Sequence, residues 1–161
     1  METTGQSPAP AEPKAGAAQG AGDRIAKANV TIVAPVAKVW DGLVNPDVVK
    51  KYMAGATVVT DWKEGSPIVW KGEWKGKPFE DKGRILEIED QRHLTYSHYS
   101  PLSGEPDKPE SYHTVSIDLS KQESGVYVSL SQDHNSSDEA REHSEKNWKM
   151  MLEGLKKAVE S

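Results

Sequence analysis

The chain has 161 residues, a formal net charge of −5 and no cysteine. That length suits one domain plus a tail, and the lack of thiols excludes a disulfide framework, a thiolate zinc site and a cysteine nucleophile. The acidic balance argues against general nucleic-acid binding, which draws on a Lys and Arg surplus, and no apolar run approaches the ~20 residues that span a bilayer.

Residues 1–23 contain 6 Ala, 4 Gly and 3 Pro, with no aromatic or branched aliphatic side chain. Such a segment has nothing to bury against the entropy of ordering it, so a disordered tail is expected, followed by one folded domain over 24–161. The first residues lack a charged start and an apolar stretch, so no secretory signal is expected and the chain reads as cytoplasmic.

The folded part opens with a strand over 24–33, where Ala28, Val30 and Ile32 alternate with Lys27, Asn29 and Thr31. Pro35 suits the first position of a helix carrying Val36, Val39, Trp40, Leu43 and Val44 at helical spacing. Asn45-Pro46 breaks it and starts a second short helix, ended by Gly55. Residues 57–134 read as six antiparallel strands. They run over 57–62, 67–74, 78–88, 93–99, 112–119 and 126–132, with a hairpin at Gly76-Lys77 and a bulge at Gly83. In the third of these, Glu87 has the parity of Ile85 and faces inward unless a bulge turns it out. A Pro-rich loop fills 100–109. Ser136 and Glu139 form a capping-box signature for the last element. There Ala140, Ser144, Trp148, Leu152, Leu155 and Val159 make one stripe on a helix of about 24 residues, roughly 36 Å long.

A long helix laid on a strongly curved sheet touches it along part of its length only, so a gap between helix and sheet is expected. Trp70, Trp74, Tyr96 and Trp148 are expected to face that interior, as core filling or as the stacking surface for a flat ring. Trp40, Met53 and Met151 add apolar and adaptable surface, and Tyr52 and Met53 are expected at the mouth. His98 and His113 fall on consecutive strands. Parity puts His113 inward, so the two could hydrogen-bond a carbonyl or a phenol, or serve as acid and base. Glu139, His143 and His134 lack the spacing of a metal site, and no phosphate-cradling loop or nucleophile elbow is present. No metal or cofactor is expected.

The order of these pieces resembles a known family. APVAKVWDGL at 34–43, Asn45-Pro46 and KYMAG at 51–55 resemble the opening of the START-like (SRPBCC) superfamily. Asp61-Trp62, Gly65-Ser66-Pro67-Ile68, GRILEI at 83–88, RHLTY at 92–96 and the late Trp148, Leu152 and Leu155 are similar to the branch named for the activator of heat-shock protein 90 ATPase. The resemblance covers about residues 24–160. It implies an α+β helix-grip fold: a curved antiparallel β-sheet wrapped around a long C-terminal α-helix, with two short helices after the first strand. It also implies a small hydrophobic or aromatic ligand (a lipid, a flavonoid or a polyketide-like molecule) held in an internal cavity. Two alternatives come with it. One is a stress-related co-chaperone partnering a heat-shock chaperone, ranked lower because the chain lacks the separate N-terminal domain of the eukaryotic activator. The other is a cyclase or aromatase using His98 and His113. His98 stands where the family often has Trp.

Overall fold

The computed structural model describes residues 24–101 and 104–160, apart from the side chain of Trp74. The tail expected over 1–23 lies outside the described residues. The architecture is the α+β helix-grip arrangement. Strand β1 (Arg24–Ile32) is followed by helices α1 (Val36–Val44) and α2 (Pro46–Tyr52). Strands β2 (Thr57–Val59), β3 (Pro67–Trp74), β4 (Lys77–Glu89), β5 (His93–His98), β6 (His113–Gln122) and β7 (Gly125–Asn135) come next, and helix α3 (Asp138–Glu160) closes the chain. The strands form one seven-stranded sheet in the order β1-β7-β6-β5-β4-β3-β2, every pair antiparallel. The two short helices carry the chain from one rim of the sheet to the other.

Local chemistry sets the boundaries. Pro35 precedes α1 in an extended conformation rather than opening it, and Asn45 caps α2 by accepting from the Asp47 N–H at 3.0 Å. The β3–β4 hairpin turns on Lys75 and Gly76, both at positive φ, the signature of a tight I′ turn, so Lys77 already belongs to β4. Strand β2 ends at Val59, three residues early, because the chain turns through Trp62 at φ 60°. The long helix is capped one residue later than the sequence suggests: Ser137 Oγ, not Ser136, accepts from the Ala140 N–H at 3.0 Å.

Strand β4 bends the sheet. Its first half pairs with β3 as far as Arg84, and its second half pairs with β5 from Ile85 onward. Gly83 sits at this exchange, and a Cβ there would lie 1.7 Å from the Ser97 carbonyl oxygen. Close backbone approach is therefore what Gly83 permits. The register shift itself falls between Ile85 and Glu87. It turns Glu87 outward to His93, 3.0 Å away.

The core is continuous from α1 (Val39, Trp40, Leu43) through the inner faces of β3 to β7 to Leu152, Leu155 and Val159 of α3, all buried. Helix α3 packs mainly on β1, β7, α1 and α2. It also holds the outer rim of the sheet through the main chain. Glu145 accepts from the Lys27 N–H at 3.0 Å, Glu160 from the Val33 N–H at 2.7 Å, and Lys156 Nζ donates to the Thr31 carbonyl at 2.8 Å. No described helix is long and apolar enough to cross a membrane.

Candidate functional site

Because α3 leans on the β1–β7 side, the β3–β4 side stands away from its N-terminal half. The space left is a surface cleft of about 360 Å³, near the lower end of the range typical of small-molecule sites. Trp70, Phe79, Asp81 and His98 form its sheet wall, and Ser144, Asn147, Trp148 and Met151 its helix wall. Tyr52, Met53, Ala54 and Ala56 form the rim where α2 runs into β2, and Gln132 of β7 completes the lining.

Deeper in, the described side chains pack closely. A void of only about 30 Å³ lies among Leu43, Val58, Ile68, Leu94, Tyr96 and Ile117, room for one or two waters. Tyr52, Met53, Trp70 and Met151 border both spaces and separate them. Among the described residues the gap between helix and sheet takes the form of an open cleft, with branched aliphatic side chains of the sheet and α3 packed beneath it.

The sequence-derived candidates divide on this geometry. Tyr52, Met53, Trp70, His98, Trp148 and Met151 all line the cleft. Tyr96 is buried beneath it against Trp70, ring centroids 5.1 Å apart, and burial pushes its phenol well above the ordinary range. Trp40 is packed in the core under α1. His113 is directly opposite His98 in the ladder, but its Nδ1 meets the Asp133 carbonyl at 2.9 Å and it does not border the cleft. The two histidines are therefore neighbours without converging on one space. The side chain of Trp74 lies outside the described residues; its backbone pairs with Lys77.

Most polar groups around the cleft are committed. The Tyr52 hydroxyl donates to the Gly42 carbonyl at 2.7 Å, and burial raises that phenol far above its ordinary range. The Trp148 indole N–H donates to Gln132 Oε1, and Ser144 Oγ bonds Asn135 Oδ1 at 2.8 Å. On the sheet wall, His98 Nε2 lies 2.9 Å from Asp81 Oδ2 and the His98 ring meets the Trp70 face edge-on at 5.1 Å. The other oxygen, Asp81 Oδ1, is buried with no hydrogen-bond partner among the described residues. No three His, Asp or Glu side chains of the described residues gather to hold a metal.

Sequence reading missed Phe79, Asp81 and Gln132. Each left a trace. Phe79 and Asp81 have the parity of inward-facing Ile85, and Gln132 ends the inward series Val126, Val128, Leu130. A polar residue at an inward position of an apolar alternation was the available signal.

The family model described as Activator of Hsp90 ATPase homolog 1-like protein matches residues 33–160. A solution structure of ChR145 from Cytophaga hutchinsonii is 57% identical, covers 83% of this chain and 92% of its own, and superposes with a TM-score of 0.74. The Aha1 dimer from Colwellia psychrerythraea is 19% identical over 85% of this chain and 96% of that one, TM-score 0.66. CalU16 from Micromonospora echinospora is 22% identical over 85% of both chains, TM-score 0.62. No curated protein matches the sequence.

Proposed function

The chain belongs to the Activator of Hsp90 ATPase homolog 1-like family, and from that premise we propose that it binds a small hydrophobic or aromatic molecule in the cleft between α3 and β3–β4. The observation that carries this reading is the cleft itself: two indoles, Trp70 and Trp148, a phenyl ring, Phe79, and two methionines, Met53 and Met151, around one open space. Aromatic faces stack flat rings, and thioethers adapt to irregular shapes. The polar pair of the sheet wall, Asp81 and His98, gives such a guest an orientation. The ligand classes in view are flavonoids, polyketide-like rings and lipids.

Titration of tryptophan fluorescence with one member of each class tests the reading, with amide shift mapping to locate the site. Saturable quenching together with shifts at Trp70, Trp148 and Met151 supports it. The absence of saturation with every class removes it.

Family membership also favours a second reading, association with a heat-shock protein 90 chaperone. Stimulation of that chaperone's ATPase by the purified chain is its measurement, and no rise in rate at saturating chain ends it.

A further inference from the structure

We propose that Asp81 and His98 make the cleft selective for a guest with a hydroxyl hydrogen-bond donor, a phenol above all, and exclude one with a carboxylate. This rests on the reading of the cleft as a ligand site and names the chemistry of the guest. Asp81 and Trp70 are direct partners in the β3–β4 ladder, so the carboxyl group stands beside the indole that forms the floor for a ring. Bridges between Lys82 and Tyr99 and between Ile85 and Tyr96 place side-chain-free Gly83 level with His98, and the imidazole reaches Asp81 at 2.9 Å.

This pair offers acceptors. In the tautomer that directs Nε2–H at Asp81 Oδ2, the positions without a partner are Asp81 Oδ1 and His98 Nδ1. Both carry lone pairs. Oδ1 is shielded from water and lacks a donor among the described residues, a condition that costs free energy until a donor arrives. Asp81 is among the residues that line the cleft, so a small turn of its soft carboxyl torsion is enough for a donor seated there to meet the unpartnered oxygen. Tyr52, Ser144 and Trp148 already donate elsewhere, which leaves the Gln132 and Asn147 amides, on β7 and the helix wall, as the other polar lining of the cleft. A ring seated on Trp70 with an O–H at its edge completes Asp81. A fatty acid or aromatic acid brings a second negative charge to a partly buried carboxylate, which repels it.

The test is isothermal titration calorimetry on the full chain with three probes of one shape: 2-naphthol, 2-methoxynaphthalene and 2-naphthoate. A hydrogen bond to a charged acceptor is worth about tenfold to a hundredfold in affinity. The expected result is 2-naphthol tighter than each of the other two by about tenfold or more. Asp81→Asn keeps the shape and removes the charge, and should bring naphthol and naphthoate within about threefold of each other. Asp81→Ala, with its fold verified by amide spectra, should lose the preference for naphthol over its methyl ether. Equal affinity for the three probes, tighter binding of naphthoate, or selectivity unchanged in both variants overturns the inference while leaving the cleft as a binding site. No binding of any probe withdraws both.

Discussion

Tyr52, the last residue of α2, donates its hydroxyl to the carbonyl of Gly42 in α1 across 2.7 Å. That carbonyl belongs to the last turn of α1, where intrahelical donors run out, so the phenol supplies what the helix cannot. Burial raises the phenol's pKa well above its ordinary range, which favours the protonated donor.

Tyr52→Phe removes this donor and leaves the Gly42 carbonyl unsatisfied in a half-buried place. The expected loss is about 1–2 kcal/mol. Urea denaturation should give a lower midpoint with an unchanged m-value, since the surface exposed on unfolding is the same.

Gly154 lies where α3 passes the stem of Tyr52, and a Cβ there would stand 2.8 Å from Tyr52 Cβ. Alanine favours the helix by up to about 1 kcal/mol, but the displaced stem is anchored at both its backbone and its hydroxyl. Overpacking of this kind costs about 1–3 kcal/mol, so Gly154→Ala should destabilise on balance. A lower Tm in a thermal scan, together with amide shifts at Tyr52 and Gly42, is the expected outcome.

Gly83→Ala is expected to be more damaging, by about 3 kcal/mol or more, because its new methyl would meet backbone rather than a side-chain tip. The β4–β5 exchange would have to open. Loss of amide-exchange protection at Arg84 and Ile85, or failure to fold, is the measurement.

His93 stands on the outer face between Asp118 of β6 at 2.6 Å and Glu87 of β4 at 3.0 Å. The hydrogen bond to Asp118 is the largest cause raising its pKa above the usual 6.5; burial opposes it, and Glu87 adds to the rise. The folded protein therefore holds this proton more tightly than the unfolded chain. The stabilisation is complete below about pH 6.5 and disappears as pH climbs through the raised value. Thermal midpoints at about pH 6 and pH 8.5 should differ more for the native chain than for His93→Gln, whose amide cannot titrate. Equal differences in the two proteins would end this account.

The alternating strands and the amphipathic closing helix were readable because each buries one face, and burial imposes a period of two or of 3.6 on the sequence. What escaped reading depends on neighbours that are distant in sequence. Gly83 looks like a bulge, yet the close Ser97 carbonyl on the next strand decides its role, and the register shift falls two residues on. His113 has inward parity, but β7 runs as far as Asn135 and brings the Asp133 carbonyl to it. Asp81 belongs to the same inward row as Phe79 and Ile85, and only the bend in β4 reveals that this row borders open space. Five of the aromatic and methionine candidates, Tyr52, Trp70, Trp148, Met53 and Met151, do meet around that space, because size and apolarity mark them without knowledge of the bend.

Glu145, Glu160 and Lys156 grasp amide and carbonyl groups, and the side chains of Lys27, Asn29 and Thr31 take no part in those three bonds. Lys27, Asn29 and Thr31 can thus be exchanged for dyes, spin probes or surface-tethering groups without loosening the first strand. The same three contacts deny a foreign strand its template along that border. Chemical handles placed there sit at the rim far from β3 and β4 and leave the cleft lining untouched.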